Sequence, residues 1–234
     1  MTLYNQHTTE TALIKVTNDV LTSLDQGRCT ILACLDLSAA FDTVDHNKLL
    51  YRLQQTYGIC GIALAWFRSY LSQRQHRVSI NASFSKQFKL SCGVPQGSVL
   101  GARIYTMYTK PLSSVFLKNN IMYHTYADDT QVYIQCDNTS LCKQQAITRL
   151  GNCIEEVCKW MSTNSLKLNE EKTECIIFSR KEHTQDVQLV INGTTLNPKQ
   201  SIKNLGLTLG NKLSLTKQIS NACRSTTIQL RKIN

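Results

Sequence analysis

The chain has 234 residues, 42% of them hydrophobic, which suits one domain, or one domain with a small appendage, around a buried core. Its formal net charge of +10 and pI of about 9.2 favour a polyanionic partner, although charge alone equally suits a membrane surface or plain solubility. No apolar run approaches membrane-spanning length and MTLYNQHTTE lacks the basic-then-apolar order of a signal peptide, so the expectation is an intracellular chain, in nucleus or cytoplasm, with no membrane partner.

From Thr8 to Asp25, Leu13, Val16, Val20, Leu21 and Leu24 recur at helical spacing, and Gly27 follows as a stop. Thr30 to Leu35 is a short aliphatic run that reads as a buried strand delivering Asp36 at its C-terminal end, with the small residues Ser38, Ala39 and Ala40 and then Phe41 behind it. Asp45 can cap a helix whose buried face is Leu49, Leu50, Leu53 and Tyr57, closed by Gly58. The helix Ile62 to Leu71 carries Trp66, Phe67 and Tyr70, a spacing typical of core aromatics. Arg77 to Ile80 and Phe84 to Leu90 read as a hairpin around Asn81-Ala82-Ser83 that leads into Cys92-Gly93-Val94-Pro95-Gln96-Gly97-Ser98, a loop opening the helical pattern of Val99 to Thr109.

Ile121 to Gln135 reads as two strands joined by a tight turn with Asp128 and Asp129 at its tip. A long amphipathic helix follows, about Leu141 to Asn164, with Ile147, Leu150, Ile154, Val157, Trp160 and Met161 on one side. Strands are predicted at Thr173 to Phe178, Val187 to Ile191, Thr194 to Leu196 behind the turn signal Asn192-Gly193, and Leu205 to Leu209, before helical spacing resumes from Leu215. The pattern is α+β, helices against a mainly antiparallel sheet. The ten cysteines form no CxxC pair, and the closest, Cys153 with Cys158 and Cys136 with Cys142, lack zinc spacing and nearby histidines; they read as reduced thiols, several of them in the core. Seven Lys or Arg and no acid between Val187 and Asn234 mark a candidate phosphate-tracking face.

Two adjacent carboxylates at a hairpin tip repel and raise one another's pKa, so a site that keeps both ionised needs a cation. Asp36 supplies a third acid, and the glycines of the intervening loop allow close backbone approach to a ligand at a helix N-terminus, which favours an anion. LDLSAAFDTVDH (Leu35 to His46), GVPQGSVLG (Gly93 to Gly101), YADD (Tyr126 to Asp129), SLKLNEEKTECIIF (Ser165 to Phe178) and NLGLTLGNKLS (Asn204 to Ser214) resemble, in order, the palm motifs of reverse transcriptases, in the phrasing of non-LTR, LINE-type, Jockey-like retrotransposons.

The resemblance implies a right-hand polymerase palm, an antiparallel sheet backed by helices, with partial fingers over residues 1–213 and the start of a thumb helix over 214–234. Only 35 residues precede Asp36, so the fingers segment is expected to be incomplete, with the rest of the thumb beyond Asn234. The implied reaction is template-directed transfer of a dNTP to a primer 3′-hydroxyl, with RNA template, DNA primer and dNTPs as partners. By resemblance Asp36 and Asp128 are bridging metal ligands and Asp129 the third acid. Their oxygen-only set and the triphosphate point to two Mg²⁺ ions, with Mn²⁺ as a substitute. Phe41 matches the aromatic gate against a 2′-hydroxyl. Gln96, with Gly93, Pro95 and Gly97 about it, matches the glutamine that packs on the incoming nucleotide, and Lys172 sits near a lysine held to protonate pyrophosphate. Asp42 and Asp45 read as capping or surface acids. Leu205 to Leu209 falls where a primer-gripping hairpin lies, with Gly210 where related elements often carry an acid. Two rival readings stand beside this one: a catalytically inert truncated relic with residual nucleic-acid binding, and an RNA-dependent RNA polymerase, against which Phe41 and the Tyr-Ala before Asp128 argue.

Overall fold

The computed structural model describes residues 8–38, 40–180 and 187–233; the N-terminal heptapeptide read above against a signal pattern, Ala39 of the first acidic motif and the terminal Asn234 lie outside the described residues. The chain divides into two compact units, one of residues 1–36, 115–156 and 169–234, the other of 37–114 and 157–168.

The first unit is built on a sheet in which β1 (Cys29–Ser38), β6 (Met122–Tyr126), β7 (Asp129–Cys136) and β8 (Lys167–Phe178) lie in the order β6-β7-β1-β8. β7 runs antiparallel to both its neighbours, with Cys29 opposite Cys136 and Leu35 opposite Thr130 on one side, and Met122 opposite Tyr133 on the other. The Cys29 and Cys136 sulfurs lie 3.1 Å apart across that register, and all ten cysteines are free thiols. Helix α1 (Thr9–Asp25) starts at a reciprocal cap, Thr8 accepting from the Thr11 amide and Thr11 Oγ1 from that of Thr8. It buries Ala12, Val16, Val20 and Leu24, the last three of which pack in one cluster with Leu32, Tyr133, Ile176 and Phe178, while Leu21, of the same predicted periodicity, is 46% exposed. Helix α6 (Ser140–Thr163) matches its predicted span and buries Ile147, Leu150 and Ile154.

Two hairpins complete this unit. β9 (Leu189–Ile191) and β10 (Thr194–Leu196) turn at Asn192-Gly193, both with positive φ, as the dipeptide predicts. β11 (Ser201–Asn204) and β12 (Leu207–Gly210) correct the expected strand 205–209: Asn204 pairs with Leu207, so Leu205 and Gly206 form a two-residue turn at φ +46° and +86°. The predicted strand 173–178 starts earlier, at Lys167; its first half, KLNEEK, has one apolar residue, the buried Leu168, and so gives no alternating pattern to read. The buried amides of Gln131 and Asn204, joined at 2.6 Å, tie the β11–β12 hairpin to β7. Helix α7 (Thr216–Ile233) follows.

The second unit holds α2 (His46–Gln55), α3 (Gly61–Leu71), a double hairpin of β2 (Gln75–His76) with β5 (Phe88–Lys89) and β3 (Ser79–Ile80) with β4 (Ser83–Phe84), and α4 (Val99–Thr109). A 3₁₀ turn at Lys110–Leu112 leads to α5 (Ser113–Lys118), six residues behind Pro111 and too short for a periodic signal. Leu49 and Leu53 of α2 are fully buried, but Tyr57 is 37% exposed. The core expected on α3 is corrected: Trp66 is 51% and Ile62 91% exposed, and only Leu71 is buried. Its rings cover each other instead, Trp66 stacking on Tyr70 at 5.4 Å and meeting Phe67 edge-on at 5.2 Å. The polar centre of this unit is Tyr108, buried, whose hydroxyl donates to the Asn164 carbonyl at 2.6 Å. Arg52 lies 4.5 Å from the centre of its ring and donates to the Tyr108 carbonyl and Asn164 Oδ1.

Tyr108→Phe removes only the donor and leaves the Asn164 carbonyl unpaired in a buried place, a cost of about 1–3 kcal/mol. Urea denaturation should show that loss, with Tyr51→Phe, at a position 67% exposed, changing stability by less than about 0.5 kcal/mol.

Candidate active site

Sheet register assembles the acids. Because Leu35 faces Thr130 in an antiparallel pair, Asp36 and Asp129 are the next residues along β1 and β7. Tyr126 pairs with Asp129, so the β6–β7 connection is the two-residue turn Ala127-Asp128. Ala127 holds φ +53°, a left-handed conformation that costs a residue with a Cβ about 1–2 kcal/mol. The turn is therefore strained in a way that sets Asp128 and Asp129 side by side at the tip, both exposed, while Asp36 is half-buried.

The Asp129 pKa is raised above the ordinary carboxylate value. Although exposed as a residue, its carboxyl is partly desolvated by the hairpin, which is the largest cause, and the negative charges of Asp128 and Asp36 follow. Among the described residues none of the three acids is in a salt bridge, and no group of three or more His, Cys, Asp or Glu is gathered so as to hold a metal ion as it stands. The chemistry of the donors fits a hard divalent cation, since all are carboxylate oxygens carrying uncompensated charge, but they are not closed into a cage. Lys172, on β8, is exposed; its backbone N–H donates to Asn169 Oδ1 at 3.3 Å, and no hydrogen bond or ion pair among the described residues ties its ammonium to these acids.

The second unit builds the glycine loop. Gly93 has φ +84°, and a Cβ there would lie 2.8 Å from the Asp42 carbonyl oxygen, so only glycine fits. Its N–H donates to the Val44 carbonyl at 2.8 Å, and the Val94 N–H to the Phe41 carbonyl at 2.8 Å, fixing loop and aromatic side by side. The Gly93 carbonyl in turn accepts from Arg74 at 3.2 Å and contacts His46 Nε2 at 2.7 Å. Ser98 caps α4 by accepting from the Gly101 N–H at 2.9 Å, while its hydroxyl donates to the Pro95 carbonyl at 2.8 Å. Gly97 has φ +74° with open space around it.

Phe41 is half-buried and stacks on Tyr105 with centroids 4.7 Å apart. Gln96 is exposed, and its amide donates to both carboxylate oxygens of Asp42 at 3.1 and 3.0 Å. Asp45 caps α2 as predicted, accepting from the Lys48 N–H at 3.0 Å. The reading of Asp42 as a capping or surface acid is incomplete: it is exposed, but it holds Gln96. Asp42 and His46 lie within the same motif as Phe41, so their neighbourhood was legible, whereas nothing in the sequence signals Arg74. In the basic C-terminal stretch, Lys199 is neutralised by Glu174 at 2.5 Å and Lys217 donates to Ser201 Oγ at 2.8 Å, so these two are already engaged.

Asp36→Asn removes one of the like charges acting on Asp129, so the Asp129 pKa should fall toward the ordinary value, read by carboxyl carbon NMR titration. Because the folded-state pKa is raised, stability from this group is present below the unfolded carboxylate pKa and lost as pH rises through the raised one; the substitution narrows that window. An unmoved titration would show that Asp36 is not felt at the tip.

A family model described as reverse transcriptase (RNA-dependent DNA polymerase) matches residues 3–209. The RNA-directed DNA polymerase from mobile element jockey of Drosophila melanogaster is 28% identical over 222 residues, 92% of this chain and 23% of that protein. The probable RNA-directed DNA polymerase from transposon X-element of the same organism is 28% identical over 216 residues, again 92% of this chain and 23% of that protein. The chain thus spans about a quarter of the length of the curated relatives it matches. Among solved structures, apo telomerase from Candida tropicalis, truncated from its C-terminal domain, superimposes with a TM-score of 0.56 at 16% identity, over 88% of this chain and 40% of that one. Telomerase from Candida albicans, in complex with a fragment of telomeric RNA, gives 0.53 at 13% identity over 89% and 36%. The α+β polymerase architecture expected from the motifs is therefore the one observed, and since the match spans both the acidic hairpin and the glycine loop, the chain belongs to the reverse transcriptase (RNA-dependent DNA polymerase) family.

Proposed function

We propose that the chain is the polymerase segment of a Jockey-like, non-LTR retrotransposon protein, adding dNTPs to a DNA primer 3′-hydroxyl on an RNA template. The observation that carries this reading is the placement of Asp36 beside the strained Asp128-Asp129 tip, three carboxylates that are in no salt bridge among the described residues. Asp36, Asp128 and Asp129 would hold two Mg²⁺ ions, or Mn²⁺ in their place, which when bound activate the attacking hydroxyl and neutralise the leaving pyrophosphate. The rest falls to the chain's own groups. Phe41, backed by Tyr105, would pack under the incoming sugar and exclude a 2′-hydroxyl. Gln96 would contact the nucleotide, with Asp42 fixing its amide and Gly93, Pro95 and Gly97 shaping the loop beneath it. Lys172 would donate a proton to pyrophosphate, its exposure leaving the ammonium free to meet it. Action on nucleic acid would set the chain to work in the nucleus or cytoplasm; no helix among the described residues is long and apolar enough to cross a membrane.

Primer extension on an RNA template with dNTPs and Mg²⁺ tests the reading. Asp128→Asn should abolish extension while salt-sensitive template binding stays within about twofold, because the change removes one charge at an exposed tip and adds no clash. Extension by neither protein, with binding intact, would favour the inert relic. Phe41→Ala should raise incorporation of NTP relative to dNTP on the same template, and an unchanged ratio would remove the gate role from Phe41.

A further inference from the structure

Positive charge is concentrated in the second unit. Residues 37–114 and 157–168 carry eleven Lys or Arg against two acids, Asp42 and Asp45, which is +9 of the chain's +10, and no acid occurs between Asp45 and Asp128. Within that unit the double hairpin stands out of the packed body, every residue from Gln75 to Lys89 being exposed. Val78, Ile80, Phe84 and Phe88 are each 55–67% exposed there, an apolar display that gains nothing from the fold.

The register arranges this display. His76 faces Phe88 across β2 and β5 and stacks on it at 5.8 Å, with the neighbouring pair Gln75 and Lys89 directed to the opposite face of the ribbon. Further out, the Arg77 guanidinium lies 3.9 Å from the centre of the Phe84 ring. Each phenyl ring is thus backed by a cationic or imidazole group and remains more than half exposed. Arg77, Lys86 and Lys89 are in no salt bridge among the described residues. Rings that present a free surface, interleaved with unneutralised cations, match a strand with unpaired bases and a phosphate backbone; a membrane would call for a broader aliphatic face than Val78 and Ile80 supply.

We propose that the ribbon of residues 75–89 is a docking surface for single-stranded template RNA, with Phe84 and Phe88 as stacking platforms and Arg77, Lys86 and Lys89 as phosphate partners. The RNA identity rests on the function proposed above; the preference for an unpaired strand rests on the rings. The base of the ribbon is held to the glycine loop, since Arg74 donates to the Gly93 carbonyl, so a strand seated on it runs on from the segment that carries Gln96.

The test is fluorescence anisotropy with a labelled 20-nucleotide single-stranded RNA and a blunt RNA–DNA duplex of the same length, across a salt series. Phe84→Ala with Phe88→Ala should weaken single-strand binding at least about tenfold at unchanged salt slope and leave the duplex within about twofold. Lys86→Ala with Lys89→Ala should instead lower the salt slope by about 1.4, at about 0.7 per lost phosphate contact. All four positions are exposed, and far-UV circular dichroism of each variant checks the fold. Wild-type RNA binding unaffected by either pair, or an equal loss on the duplex, would overturn the proposal while leaving the polymerase reading intact. No RNA binding by wild type would overturn both. Loss of binding to vesicles of phosphatidylserine and phosphatidylcholine with RNA affinity retained would make the ribbon a membrane surface, and loss of a concentration-dependent dimer would make it a self-association face.

Discussion

The like charges of Asp36, Asp128 and Asp129, felt in the raised pKa of a partly desolvated Asp129, are the constraint on which the first unit depends. Their repulsion opposes folding, so the strands that carry them need stabilisation from elsewhere. β1 supplies it with Ile31, Leu32, Ala33 and Leu35, none more than 2% exposed, and β7 with Val132 and Tyr133, equally buried. Each such aliphatic or aromatic side chain contributes roughly 1.5–3 kcal/mol on burial. An apolar sheet interior thus holds polar ends that would otherwise splay. The left-handed Ala127 adds to the load, and with Asp129 desolvated the tip concentrates both backbone strain and electrostatic cost in three residues. Strain and a raised carboxylate pKa at one place are expected of a site whose stable state includes something bound.

The glycine loop solves a different problem, rigidity without side chains. Gly93 approaches the Asp42 backbone more closely than any Cβ permits, and its three polar contacts, to Val44, His46 and Arg74, leave its peptide no freedom. Gly101 does the same one turn into α4, where a Cβ would sit 2.3 Å from the Pro95 carbonyl. Between these fixed points Gln96 is exposed, as Val99 is, and Asp42 restrains its amide. A side chain held in that manner meets a ligand with less rotamer entropy left to lose, which is how a neutral amide becomes a positioning group.

Much of this was legible in the sequence because it rests on short-range rules. The YADD turn, the Asn192-Gly193 turn, the Asp45 cap and the span of α4 each follow from a few adjacent residues. What was not legible depends on tertiary packing. α3 has the periodicity of a core helix, yet Trp66 and Ile62 are 51% and 91% exposed, and periodicity reports which residues share a face, not what the face meets. The first half of β8 places Leu168 alone in the core, too little for a periodic signal, whereas Cys175 to Phe178 are buried in succession. Asp42 carries no local mark that distinguishes a partner of Gln96, 54 positions away, from a surface acid.

The two units differ sharply in charge. The first has net charge +1 despite fifteen Lys or Arg, because fourteen acids offset them, and three of those acids form the candidate metal site. A cation-binding centre in a strongly basic surrounding would lose affinity for its ions, since each nearby Lys or Arg opposes a divalent charge. The second unit is free of that requirement and carries nearly all the excess positive charge, suited to a polyanion. No acid occurs between Asp45 and Asp128, and an acid there would cancel attraction for phosphate.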